Sequence, residues 1–437
     1  MKRITIIGTG YVGLVSGAGI SNFGHLVRCL DIDKQKIDLL NDGSIPIYES
    51  GLKKLIARSV NAKRLTFTVD AEEAIKWAEV IFIAVGTPQN ENGDADISAV
   101  IAVAEQIGKN LNNYKVISTK STVPIGTGKL IQKIIDQNNL DKIKYDYCSN
   151  PEFLREGAAV RDFLHPDRIV LGATSGKAFE YLKDVYRPLY INETPMVHTT
   201  VETAEMIKYA ANAFLAIKIS YINEVANLCD EIGADVHVVA KTLGMDGRIS
   251  PKFLHPGPGF GGSCFPKDTK ALVEIAKKYK IDMVTVTAAI EANKSQRKRM
   301  LNKLNELLDN NLKGKVIAIL GLAFKQETDD VRESPAIEII SGIHDEGGIV
   351  KAYDPIANNS MKEFFPALDY KSNWHEAVKG SDAAVIMTEW NEFRSMDLEK
   401  LKILMSQSVV LDTRNILNVS ELKRLGFKYD NVGRRVA

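Results

Sequence analysis

Residues 259–268, "GFGGSCFPKD", place a cysteine among glycines and a proline. The other three cysteines, Cys29, Cys148 and Cys229, sit in apolar, regular segments. A free cysteine ordinarily fills a small apolar gap, but this loop has no core to fill. The stretch that follows, "FPKDTKALVEIAKKY", has a helical pattern, with Pro266 suited to a first helical position and Asp268 to the first turn. Cys264 is therefore expected at a helix N-terminus, where the helix dipole and nearby Lys267 favour a thiolate.

A thiolate beside a hydride acceptor has a specific use. It converts an aldehyde into a thiohemiacetal, whose oxidation gives a thioester that water opens to an acid. The acceptor is read from "ITIIGTGYVGLVSGAGI", a strand followed by Gly8-x-Gly10-x-x-Gly13 and a helix. The first glycine permits the tight turn, the second lets a pyrophosphate reach the backbone, and the third lets helix and strand pack closely. The second strand ends at Asp31, eighteen residues after Gly13. A carboxylate there accepts from a ribose and repels a 2′-phosphate, so the expected cofactor is NAD rather than NADP.

Three further segments, "VGTP" (85–88), "KSTV" (120–123) and "NPEF" (150–153), each follow a predicted strand. Ligands of an open α/β sheet lie outside the carboxyl ends of its strands, so a shared site is expected there. Lys208 and Asn212 are spaced i, i+4 on a helical segment, flanked by Ile207, Ala211 and Phe214. An ammonium in that position can stabilise an oxyanion. From the segment alone, a solvated surface lysine is the commoner outcome.

The elements that must position these residues follow from the pattern. Strands are predicted at "RITIIG", "HLVRCLD", "LTFTV", "VIFIAVG", "KVISTK" and "YDYCSN", alternating with helices, hence a parallel sheet. From about Thr203, "TAEMIKYAANAFLAIKISYINEVANLCDEIG" predicts one long helix. After Gly314 the alternation resumes with "KVIAILGLAF", "IVKAYDP", "AAVIMTEW" and "SVVLDTRN", without a full glycine fingerprint. The expected fold is α/β, two doubly wound (Rossmann-like) domains joined by a long central helix and a helical middle domain. The predicted boundaries are 1–202, 203–300 and 301–437.

The 437 residues are 45% hydrophobic and carry 56 basic against 55 acidic side chains. That balance argues against a nucleic-acid partner. No segment approaches eighteen apolar residues, so no membrane span is expected. The four cysteines lack CxxC spacing. No metal site or disulfide framework is expected, and a reducing, cytoplasmic setting is.

Together these segments resemble the UDP-glucose/GDP-mannose dehydrogenase family. The matching wording is "IGTGYVGLVSG", "KSTVPIGT", "NPEFLREG", "AEMIKYAANAFLAIKISYINEV", "GFGGSCFPKDTKAL", "GLAFKQETDDVRESPA" and "LDTRN", in the family's order along nearly the whole chain. The resemblance implies oxidation of a sugar nucleotide's C6 alcohol to a carboxylate with two NAD. "GSCFPKDTKAL" and "KFLHPGPGFGG" resemble the branch that turns UDP-glucose into UDP-glucuronate. It further implies Cys264 as nucleophile, Lys208 and Asn212 at the oxyanion, and Asp268 handling water with Thr122 and Glu152. For the cofactor it implies Gly8, Gly10, Tyr11, Val12, Gly13, Asp31, Lys36, Thr87, Thr122, Glu156, Lys267 and Arg332. For the substrate it implies Glu152, Phe153, Leu154, Arg155, Lys208, Asn212, Phe253, Leu254, Gly259, Gly261, Phe324, Lys325 and Arg414. Arg248 is also expected at the substrate, from the same chain or from a neighbouring subunit of a homodimer or higher homo-oligomer.

Ser50 stands where the family commonly has proline, and Thr413 where it has glycine; the second bears on Arg414. Siblings acting on GDP-mannose, UDP-N-acetylglucosamine or UDP-N-acetylmannosamine stay as alternatives. So do a single-step hydroxyacid dehydrogenase and a nucleotide-sensing scaffold without catalysis.

Overall fold

The computed structural model describes residues 1–90 and 94–434. Two compact units divide it, Met1–Ala211 and the remainder from Asn212. The first holds β1 (Arg3–Ile7), β2 (Leu26–Leu30), β3 (Leu65–Thr68), β4 (Val80–Ile83), β5 (Lys115–Thr119), β6 (Tyr145–Ser149), β7 (Ile169–Ala173) and β8 (Met196–Thr199). Their order in the sheet is β3-β2-β1-β4-β5-β6-β7-β8. All neighbours are parallel except β6 and β7. β4 and β5 are buried along their whole length, as strands covered by helices on both faces must be.

The second unit holds β9 (Val316–Leu320), β10 (Ile349–Tyr353), β11 (Asp369–Tyr370), β12 (Ala383–Ile386), β13 (Val409–Asp412) and β14 (Lys428–Asn431). This sheet is wholly parallel, in the order β11-β10-β9-β12-β13-β14. Its first strand is central and the order reverses there, as in the first sheet.

One long helix, Val201–Ile232, answers the proline-free segment. The cysteine helix is Phe265–Lys278, followed by Val284–Leu307. In the second unit, Ile222 and Ala226 of the long helix share a core with Met300, Leu304, Ile317, Ile319 and Ile340. Phe214, expected beside Lys208 and Asn212, is instead exposed, whereas both polar residues are buried. At 3.6 residues per turn, Asn212 and Phe214 point to nearly opposite sides of the helix. Among the described residues no helix is long and apolar enough to cross a membrane.

Candidate active site

In the first unit, β1 runs into Gly8 at φ +102°. A Cβ there would stand 2.6 Å from the Ala84 carbonyl oxygen, so glycine is required. A Cβ on Gly13 would strike the Gly8 carbonyl, whereas one on Gly10 would meet nothing, leaving that backbone open to approach. Tyr11 and Val12 begin the helix Tyr11–Asn22. The Tyr11 hydroxyl donates to Glu49, and both oxygens accept from the Gly157 amide at 2.8 Å.

The amide and hydroxyl of Thr9 both donate to Asp31 Oδ2 at 2.7 Å, and the Asp33 amide donates to Oδ1 at 3.1 Å. Lys36 Nζ lies 3.9 Å away. Burial pushes the Asp31 carboxyl up, but these donors and the lysine outweigh it and hold the group below the usual range. Asp31 is thus a carboxylate at neutral pH, which suits a ribose and excludes a 2′-phosphate. The donor set fits NAD.

Three strand ends converge on the same edge. Thr87 Oγ1 donates to the Thr122 carbonyl at 2.8 Å, and Ser121 Oγ to the Val85 carbonyl at 2.6 Å. After β6, Glu152 accepts from Lys208 Nζ at 2.7 Å and from the Leu154 amide at 2.6 Å. Burial acts to raise the Glu152 carboxyl, but Lys208, the Leu154 amide and Lys120 bring it below its ordinary value. The Phe153 ring carries the Arg168 guanidinium at 3.6 Å and Lys208 Nζ at 5.6 Å. Arg155 is exposed and paired with Asp162 at 2.6 Å, while Glu156 is half-buried.

In the second unit, Cys264 is the N-cap of the cysteine helix, and its side chain makes no capping bond. Cys264 is half-buried; Cys29, Cys148 and Cys229 are buried, and burial raises all three thiols, Cys29 to about 12. One turn into the helix, fully buried Asp268 accepts from Asn212 Nδ2 at 2.6 Å and from Lys267 Nζ at 2.6 Å. Lys267 is therefore paired with Asp268.

The loop before Cys264 is clamped by side chains that sequence reasoning missed. Asn293 binds both polar backbone atoms of Phe260, accepting at 2.7 Å and donating at 3.0 Å. Arg297 donates to the Phe260 and Glu333 carbonyls at 2.7 and 3.0 Å. Asn223 and Gln296 hold the Gly257 amide and carbonyl, each at 2.8 Å. Gly259 has φ +108°, and a Cβ there would lie 2.7 Å from Asn293 Oδ1. A Cβ on Gly261 would strike the Glu333 carbonyl. The available signal was Asn293, Gln296 and Arg297 at i, i+3, i+4 on one helix face, which reads equally well as a solvated stripe.

Arg414 donates to the Phe324 and Met387 carbonyls, each at 2.8 Å, and pairs with Glu389 at 3.3 Å. Thr413 donates to the Ile386 carbonyl at 2.6 Å, so its hydroxyl ties the end of β13 to the end of β12. Lys325 Nζ stands 5.4 Å from the Phe324 ring. Leu254 is buried, and the Phe253 ring meets Phe265 edge-on at 6.0 Å. Arg248 and Arg332 are exposed and tied to Asp246 and Asp330.

The turn after β9 repeats the turn after β1. Gly321 has φ +99°, and its amide donates to the Tyr353 carbonyl at 2.8 Å, as Gly8 does to Leu30 at 2.8 Å. Asp354 follows β10 as Asp31 follows β2. Its carboxylate accepts from the amides of Leu322, Ala323, Ile356 and Ala357 and, at 3.4 Å, from Trp390 Nε1.

Comparison with known proteins shows the family of the chain. Profiles of the UDP-glucose/GDP-mannose dehydrogenase family match three times: the NAD binding domain over residues 2–190, the central domain over 202–295, and the UDP binding domain over 318–419. The chain is 47% identical to the UDP-glucose 6-dehydrogenase of Rhizobium meliloti (strain 1021), over 99% of each chain. It is also 47% identical to UDP-glucose 6-dehydrogenase TuaD of Bacillus subtilis (strain 168), over 99% of this chain and 94% of that one. A UDP-glucose dehydrogenase structure from Pyrobaculum islandicum superposes with a TM-score of 0.92 at 34% identity, covering 100% and 98% of the two chains. Matched from the glycine turn of β1 to the end of the second sheet, the chain belongs to the UDP-glucose/GDP-mannose dehydrogenase family.

Proposed function

We propose that the protein oxidises UDP-glucose to UDP-glucuronate with two NAD, through a thiohemiacetal and a thioester on Cys264. The observation that carries the reading is the placement of Cys264. Alone among the four cysteines it is not buried, and it heads a helix whose first turn holds Asp268 against Asn212.

NAD, when bound, would supply the hydride acceptor for each of the two oxidations. Gly8, Gly10, Gly13 and Asp31 would hold it, with Tyr11, Val12, Lys36, Thr87, Thr122, Glu156, Lys267 and Arg332 completing its site. The Cys264 thiolate adds to the aldehyde carbon and leaves again when water opens the thioester. Lys208 and Asn212 stabilise the negative oxygen at each stage. Asp268 handles the hydrolytic water with Glu152 and Thr122. Phe153, Leu154, Arg155, Phe253, Leu254, Gly259, Gly261, Phe324, Lys325 and Arg414 receive the sugar nucleotide, with Arg248 from the same chain or a neighbouring one.

A homodimer fits the stripe of exposed Met206, Phe214, Tyr221 and Leu228 on the long helix. Four free cysteines fit a reducing, cytoplasmic setting. The test is NADH stoichiometry across a panel of sugar nucleotides. Two NADH per UDP-glucose, with UDP-glucuronate formed, is the expected result. Faster turnover of another sugar nucleotide, or one NADH per sugar, refutes the reading.

A further inference from the structure

Lys120 carries a charge that no carboxylate contacts. It follows β5 directly and is 4% exposed. Among the described residues its Nζ donates only to neutral oxygens, Asn150 Oδ1 at 3.2 Å and the Tyr186 hydroxyl at 3.3 Å. The Tyr186 and Phe163 rings lie 5.7 and 6.0 Å from it. Burying an ammonium without a contacting counter-ion is unfavourable. Burial pulls Lys120 down to about 8; Glu152 acts to raise it, Lys208 to lower it, and the Cys148 thiol to raise it. A group kept at that cost calls for a purpose other than stability.

Its contacts lead to the catalytic pair. Asn150 Oδ1 accepts from both Lys120 and Tyr186, the latter at 2.6 Å, and Asn150 Nδ2 donates to the Val170 carbonyl at 2.9 Å. The Asn150 amide donates to the Thr119 carbonyl at 2.8 Å. Asn150 is thus fixed on every side, and two residues later Glu152 meets Lys208. One carboxylate therefore feels two ammonium groups, Lys208 in contact and Lys120 at longer range.

We propose that Lys120 is a positioning residue for the Glu152–Lys208 pair: through Asn150 it fixes the turn that carries Glu152, and through space its charge adds to that of Lys208 on Glu152. It touches no reacting atom. The idea rests on the proposed reaction for its kinetic consequences, but not for its electrostatic one.

The test compares Lys120→Gln, Lys120→Arg and wild type over pH 5 to 9 with UDP-glucose and NAD. In Lys120→Gln, kcat at neutral pH is expected to fall roughly tenfold and its acid limb to move up by about one pH unit. KM for UDP-glucose should stay within about threefold, and Lys120→Arg should regain most of the loss. An unmoved acid limb, or an arginine variant no better than glutamine, overturns the proposal. Should Lys120→Gln not fold, Asn150→Asp gives Lys120 a contacting counter-ion and should move the limb the same way; a wild-type profile there overturns it equally. A substrate-free readout separates this from failure of the reaction itself. The carboxylate stretch of Glu152, isolated by difference against Glu152→Gln, should titrate higher in Lys120→Gln than in wild type. An identical titration sinks the proposal even if UDP-glucose is oxidised, and a shifted one sustains it even if UDP-glucose is not.

Discussion

Lys208 and Glu152 form an ion pair of 2.7 Å with side chains only 4% and 6% exposed. Removing either partner breaks a buried ion pair and leaves the remaining charge less well compensated. Lys208→Ala is expected to cost about 3–5 kcal/mol in urea unfolding, well beyond a surface pair. Activity should fall by roughly a hundredfold or more in kcat, with a smaller change in KM.

Cys264→Ala should fold normally, since the thiol caps nothing. Sustained NADH production should cease and UDP-glucuronate should not appear. Acid-quenched wild type, analysed by peptide mass, should carry a sugar-nucleotide adduct on the Cys264 peptide. An unchanged NADH yield per sugar in the variant would refute covalent catalysis.

Arg297→Leu removes the bonds that join the Phe260 and Glu333 carbonyls. The cysteine loop then loses one side of its clamp. We expect kcat to drop about ten- to a hundredfold, since small misplacements of a reacting group are costly. The alkylation rate of Cys264 by iodoacetamide should change as well. Asn293→Ala should behave similarly, and the two losses should not add, because both act on Phe260.

Asp31→Asn keeps the shape of the turn but removes its charge. KM for NAD should rise roughly tenfold, and the preference for NAD over NADP should narrow. The ratio of kcat/KM for the two cofactors measures this directly.

Glu205 gives a pH dependence of stability. Burial pushes its carboxyl up to about 7, against the pull of the Gly126 and Gly128 amides. The folded state therefore keeps a proton that the unfolded state releases near 4.5. Its contribution is present below that value and is lost as pH rises to 7, at up to about 1.4 kcal/mol per pH unit. Glu205→Gln should lose this dependence, so its Tm relative to wild type should rise between pH 5 and pH 8. A constant difference would contradict the assignment.

What could be read in advance was the part governed by local pattern. Short runs alternating with helical patterns located β1 to β6, and the loop before Phe265 placed Cys264 at its helix end. β7 and β8 escaped because the chain reverses at Ile169–Ala173, and β8 is half exposed at the sheet edge. Lys208 was ambiguous for a different reason. Its helix has polar residues on several sides, and it is the loop after β6 that meets the side carrying Lys208. Asn293 and Arg297 were illegible because their partners in the cysteine loop are backbone atoms, which have no side-chain signature.

A chain built from two copies of one nucleotide-binding plan faces a sorting problem, since each copy could capture the other's ligand. Asp354 bears on it. Five donors saturate its roughly four lone-pair sites, so no free edge remains on it. Asp31, with fewer donors, keeps an open edge. The second turn thus repeats the backbone of the first without its free carboxylate edge, and the two halves differ here in the occupancy of one carboxylate rather than in fold.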